Sequence, residues 1–415
     1  MKKEVKKVAL LLIVFGIGVG VTLLYMNNKY KVYEEEEPKQ IKKHVDTISM
    51  MLETEAGSGN YEMTTRESWP TDGYVFNATL SKCENGGELS WDDENKRVVM
   101  SGNVSDKCYV YFDKVLTLAT YVKSLYTGTQ GDNNIYYHDS SLTNGAGDSS
   151  YRYSGANPNN YVCFGSNEST CPTDNLYRII GVFGNNVKLI KYDYATSALL
   201  GTDGNYQGTG TPNSSYYKGS LTTINTYYWN NSTKKNTWSE SLLNKTNLNT
   251  NFINNIGTEW ANKIATTTWK VGGNTYANIR DVIPATAYQN EIVNPVTTNT
   301  TDNATEYSAK IGLMYVSDYG FGAGPSAWTT TLYNYDGGVN GSTIRSLNWM
   351  HMGYYDWTLS RLADNSDSAF RVYDDGHVSH NRVYLHDAVR PSFNLESSIT
   401  YVSGDGTQNS PIIIN

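Results

Sequence analysis

The chain has little cysteine, little proline and little phenylalanine: four, ten and nine residues in 415. No two cysteines stand in a C-x-x-C pair, so the spacing of a structural zinc site is missing. No Gly-x-Ser-x-Gly elbow and no His-Glu-x-x-His occurs, and the common hydrolase signatures fail with them. Cationic residues are scattered, 33 against 41 acidic ones, for a net charge of -8. That excludes the concentrated basic surface that nucleic-acid binding requires. The glycine-rich Gly320-Phe321-Gly322-Ala323-Gly324-Pro325 lacks the following Lys-Ser/Thr of a phosphate loop and reads as a tight loop.

What is abundant is tyrosine, 34 residues, set among Asn, Thr, Ser and Gly. Tyrosine pairs a rigid apolar face with a polar tip and suits wet recognition surfaces. One long apolar run exists, the nineteen residues from Val8 to Met26, preceded by Lys2, Lys3, Lys6 and Lys7. At helical rise it spans the ~30 Å hydrocarbon core of a bilayer. No small-x-small cleavage pattern follows, so the run reads as a retained single-pass signal anchor. The lysines hold the N-terminus in the cytoplasm and place the bulk of the chain outside. All four cysteines, Cys83, Cys108, Cys163 and Cys171, lie beyond the run, and an even number in that setting reads as disulfides. Three pairings are open; the sequence-local one, Cys83 with Cys108 and Cys163 with Cys171, is preferred. No cofactor or metal is expected.

The expected organisation is a cytoplasmic tail (1–7), the span (8–26), a stalk (27–68), a small disulfide-stapled β unit with a linking helix (69–126), a polar loop (127–160) and a larger unit (161–415). In the stalk, Ile41, Val45, Ile48 and Leu52 recur at helical spacing and predict a short amphipathic helix. The larger unit opens on a hairpin pattern, Leu176 to Phe183, a Gly184-Asn185-Asn186 turn, then Val187 to Ile190. Thr237 and Glu240 fit a capping box ahead of a helix carrying Leu248, Phe252 and Ile256. Strands dominate and helices are few, so the fold class is α+β.

Three segments of the larger unit resemble a known family. Leu176-Tyr177-Arg178-Ile179-Ile180 is similar to the "W-R-V-L" opening of a bacterial domain of unknown function, the DUF6273 type. Trp238-Ser239-Glu240-Ser241-Leu242-Leu243 with Phe252 resembles its "W-x-x-S-x-L" helix. Trp357-Thr358-Leu359-Ser360-Arg361, Phe370 to Val378 and Val389-Arg390-Pro391-Ser392-Phe393-Asn394-Leu395 resemble its ending in order. The resemblance covers residues 161–415 and implies a loop-rich, C-type-lectin-like body related to formylglycine-generating enzymes. It implies structural landmarks at Arg178, Trp238, Trp357, Arg361, Arg390, Pro391 and Phe393. Formylglycine-generating oxidases need a late reactive cysteine pair; no cysteine follows Cys171, so that chemistry is absent.

His351, His377, His380 and His386 cluster late, near Asp374, Asp375 and Asp387. Asp374-Asp375-Gly376 reads as a hairpin turn, and His377 and His380, an odd number apart on a strand, face opposite ways. The aromatic stretch from Tyr315 to Tyr384 is the candidate ligand surface: Tyr319, Trp328, Trp349, Tyr354, Tyr355 and Tyr373, with Tyr333, Tyr335 and Tyr384 beside them. Aromatic faces stack on sugar rings and carboxamides bond hydroxyls, so a carbohydrate or peptide ligand is expected. The expected function is an anchored extracytoplasmic binding or adhesion module. An envelope-assembly component and a surface enzyme acting on glycans are the alternatives.

Overall fold

The computed structural model describes residues 47–64, 73–102, 106–295 and 305–415. The chain divides into two compact units, Met1–Lys114 and Val115–Asn415.

In the first unit, the strand Lys107–Lys114 alternates buried and open positions, with Cys108, Val110 and Phe112 inward. Such alternation is what a half-buried strand requires. Thr47–Glu53 runs parallel to it, placing Met50 beside Val110 and Leu52 beside Phe112. Tyr61–Thr64, Tyr74–Phe76 and Lys82–Cys83 complete a five-stranded sheet. The core is thin: Met50, Val110 and Phe112, with Trp91 and Phe76 edge-on to the Phe112 ring. The Cys83–Cys108 disulfide ties two paired strands together beneath it. Replacing both cysteines by serine is expected to cost about 3 kcal/mol, because the unfolded chain regains the loop freedom the bridge removes. Denaturant unfolding followed in the first unit checks this.

The amphipathic helix expected over Ile41 to Leu52 is corrected: from Thr47 onward the chain is strand. Met50 and Leu52, two apart, share a face, and strand pairing overrides the helical spacing. Residues 41–46 lie outside the described residues.

The second unit is built on a seven-stranded sheet in the order Ile311–Gly312, Ser392–Asn394, Asn186–Lys191, Leu176–Phe183, Ser150–Tyr153, Ile135–His138, with Tyr161–Cys163 also paired to Leu176–Phe183. Seven of the eight residues of Leu176–Phe183 are buried, as a strand covered on both faces demands, Arg178 being the charged residue among them. A bulge falls between Ile179 and Gly181, and a β-carbon on Gly181 would meet the Tyr151 carbonyl at 2.4 Å. Only glycine admits that approach. The terminal strand pairs Phe393 with Leu189 on one side and Ile311 on the other. A second sheet is the meander Asp356–Arg361, Ser368–Val372, Val378–Arg382. Cys163 and Cys171 are bridged.

The stretch read as a polar loop over 127–160 contains two strands of the main sheet, Ile135–His138 and Ser150–Tyr153. Ile135, Arg152 and Tyr153 are buried there among polar neighbours too sparse in apolar residues to signal a strand. The segment after Trp238 is a π-helical turn run, Leu243–Phe252, ending in a short α-helical piece, and Thr237 makes no side-chain cap bond.

The expected α+β class, with a transmembrane helix and a lectin-like body, is corrected. The fold is mixed, 33% strand and 20% helix, in many small sheets, with no closed barrel among the described residues. Among the described residues no helix is long and apolar enough to cross a membrane. The run at 8–26 lies outside the described residues.

Candidate functional site

The meander and its turn organise a strip of aromatic rings. Asp374-Asp375-Gly376 forms the turn between Ser368–Val372 and Val378–Arg382, with Gly376 at φ 103°, a left-handed conformation that favours glycine. Asp375 Oδ1 accepts from His377 N at 3.2 Å and lies 2.6 Å from His377 Nδ1, fixing the ring at the turn. The Tyr373 ring stacks on His377 at 4.0 Å and 24°. Tyr355 meets Tyr373 edge-on at 5.3 Å, and Tyr354 follows at 5.6 Å. On the far side of His377 lies Tyr333 at 5.6 Å. All five rings are half-buried.

One cation braces the strip. The Arg371 guanidinium sits 4.4 Å from the Tyr355 ring and 4.2 Å from the Tyr373 ring, and donates from Nη1 to buried Asp387 at 2.6 Å. Burial pushes the Asp387 carboxyl up to about 7, with Arg371 pulling the other way. Arg280 extends the strip between Tyr333 and Tyr276, 5.2 and 5.0 Å from their centroids. Rings held by cation–π contacts keep their orientation without a polar tip buried in the core. A strip of this kind stacks planar or ring-shaped groups.

Tyr354, Tyr355 and Tyr373 therefore lie together. Tyr319, Trp328 and Trp349 do not join them and are withdrawn from the ligand strip. All three are buried, and their polar tips are taken by backbone carbonyls: Tyr319 Oη to Gly376 O at 2.8 Å, Trp328 Nε1 to Ala323 O at 2.8 Å, Trp349 Nε1 to Tyr153 O at 2.9 Å. Tyr335 is buried likewise, its hydroxyl on Gly320 O. Arg371, Arg280 and Asp387 carry no local sequence signal; only the fold sets them against the rings.

The structural landmarks are buried. Trp238 packs on Trp229 at 4.8 Å, and Trp357 donates from Nε1 to Tyr227 O. Arg390 Nε donates to Asp356 at 2.6 Å and Nη2 to Met350 O at 2.6 Å, while the Pro391 carbonyl accepts from Lys191 N. Arg361 and Phe393 are buried, and Arg178 stands on Leu176–Phe183, an interior strand of the main sheet. The late histidines disperse: His351 bonds Asp374 O, His380 lies against Tyr276, and His386 against Tyr228. Among the described residues, the His/Cys/Asp/Glu group close enough to hold a metal is Cys83, Asp106 and Cys108, and both sulfurs there are in a disulfide.

Apart from the strip, a concavity of about 230 Å³ is walled by Phe183, Trp269, Tyr288 and Tyr315 over Arg152, Lys188 and Asp318. Asp318 receives Lys188 Nζ at 2.5 Å and Tyr315 N at 2.9 Å, with Arg152 Nη1 at 3.6 Å. Glu291 lies deeper, accepting from Val316 N, Ser317 N and the Ser360 hydroxyl. Both carboxylates thus serve the backbone N–H groups that open the short helix Val316–Gly322. A catalytic pair needs oxygens turned to substrate; these are turned to the helix.

Burial pushes Glu291 up from an ordinary 4.5 to about 7, against the bonds from Ser317 and Ser360. Its folded-state value is raised, so its contribution to stability is complete below the unfolded value and is lost as pH rises towards 7. Glu291→Gln is therefore expected to gain on the wild type between about pH 5 and about pH 8. Paired denaturant titrations at the two pH values measure the change.

Comparison with protein-family models, with curated proteins and with solved structures finds no match.

Proposed function

We propose that this chain is an extracytoplasmic binding module, attached to the membrane through the run at 8–26, that takes a carbohydrate or peptide ligand on its aromatic strip. The observation that carries it is the half-exposed series Tyr354, Tyr355, Tyr373 and His377, braced by Arg371 on buried Asp387. A core aromatic hides its face and satisfies its tip, as Tyr319 and Trp328 do. Those of the strip are rigid yet open, which is the condition for stacking without a large ordering cost. The two disulfides agree with an oxidising compartment. A relationship of residues 161–415 to the DUF6273 type rests on the three ordered segments at Arg178, Trp238 and Arg390.

A glycan and peptide array probed with the full chain tests this reading. The expected result is a ligand whose affinity falls about tenfold in the Tyr355→Ala/Tyr373→Ala double variant, each lost ring contact being worth about 0.5–1.5 kcal/mol. His377→Ala at the turn is expected to cost about 1 kcal/mol in thermal unfolding, as it removes the ring stacked on Tyr373. Retention of every array signal in the double variant counts against the strip.

A further inference from the structure

Away from the strip, a cavity of about 330 Å³ is lined by two cations, Arg178 and Lys218, and three aromatic rings, Tyr161, Tyr192 and Trp349, with no carboxylate among its lining residues. Arg178 is only 4% exposed. Its guanidinium lies 4.2 Å from the Tyr161 ring and 4.6 Å from the Trp349 ring. Nε donates to Asn160 Oδ1 at 2.7 Å and Nη2 to the Pro158 carbonyl at 2.9 Å. Lys218 Nζ donates to the carbonyls of Arg345 and Asn348, at 3.0 and 3.4 Å. Every one of these acceptors is neutral.

Among the other cations of the unit, Arg152, Lys188, Arg371 and Arg390 each meet a carboxylate, whereas Lys191 bonds the Asp174 carbonyl and Arg361 Nε and Nη2 find no acceptor; neither of these two lines the cavity. A buried guanidinium without a counter-charge is costly, and here it shares a cavity with a second cation. In a chain of net charge -8 this is a local reversal of sign.

We propose that the cavity is an anion site for an organic carboxylate, with Arg178 and Lys218 supplying the counter-charge and the three rings packing the body that carries it. A small inorganic anion would leave the aromatic walls unused. A carboxylate on a ring or short chain uses both, since charge-assisted bonds to a guanidinium are short and directional. Lys218 is exposed at the mouth, so it is removable without opening the core.

Isothermal titration of the full chain with D-glucuronate and with N-acetyl-glycyl-tyrosine, each against its uncharged counterpart (D-glucose, the dipeptide amide), tests the site. At least one carboxylate probe is expected to bind about tenfold or more tightly than its counterpart, the margin a bond to a charged group supplies. Lys218→Met is expected to remove most of that preference while leaving the affinity of the array ligand for the strip unchanged, so the two readings fail separately. Preference for glucuronate marks an acidic sugar as the source; preference for the free dipeptide marks a chain terminus. Equal affinity for charged and uncharged probes, no binding of any of the four, or an undiminished preference in Lys218→Met overturns the proposal.

Discussion

Replacing Asp318 by asparagine is expected to cost about 3–5 kcal/mol of the second unit's stability, the price of leaving a buried charge without its partner. The carboxylate holds Lys188 at 2.5 Å, caps Tyr315 N at 2.9 Å and faces Arg152 at 3.6 Å, and all four residues are buried. Arg152 keeps Asp148, 2.7 Å away on its other side, so Lys188 bears the loss. Adding Lys188→Met to Asp318→Asn is then expected to restore much of the stability, because removing both charges is far milder than removing one. Equilibrium unfolding of the wild type, both single variants and the double variant completes the cycle. Additive losses would mean that the ion pair is incidental to the packing.

Phe393→Ala is expected to cost about 3–5 kcal/mol, as a buried phenylalanine truncated to a methyl loses transfer energy and leaves a cavity. Phe393 is fully buried, with Phe164 at 4.9 Å, Tyr177 at 5.4 Å and Phe252 at 5.9 Å. It also sits at the register point where the terminal strand joins Leu189 and Ile311. Truncation therefore strikes the ring cluster and the closing strand together. Thermal unfolding of the variant against Phe393→Leu separates the two, since leucine keeps the strand and most of the volume. A loss under about 1 kcal/mol for alanine would place the terminal strand at the periphery.

Legibility of this fold followed the reach of the interactions. The hairpin from Leu176 to Lys191 is readable because its apolar runs and its Gly184 turn are local. So is the turn at Asp374-Asp375-Gly376, whose glycine takes a positive φ. The strands Ile135–His138 and Ser150–Tyr153 carry a weaker local signal, since each is short and the pair joins the main sheet only where Ser150–Tyr153 meets Leu176–Phe183. The same holds for Thr47–Glu53, whose pattern also fits a helix until Lys107–Lys114 lies beside it.

The candidate site shows the same division. Tyr319 and Tyr373 each stand next to an aspartate with a glycine close by in the sequence. What separates them is a carbonyl 57 residues away that takes the Tyr319 hydroxyl, while Arg371 and His377 hold Tyr373 at the surface. Trp349 is withdrawn by Tyr153, 196 residues distant. Amphipathic side chains fit either setting, and the choice is made by long-range hydrogen bonds that periodicity does not encode.

Ligand-induced chemical-shift mapping on tyrosine-labelled full-length chain, with the tightest ligand from the array, tests the central claim most directly. The account expects the resonances of Tyr354, Tyr355, Tyr373 and Tyr333 to move together on titration, with buried Tyr319 and Tyr335 unmoved. Shifts confined to tyrosines outside the strip, with those four silent at saturation, would contradict it.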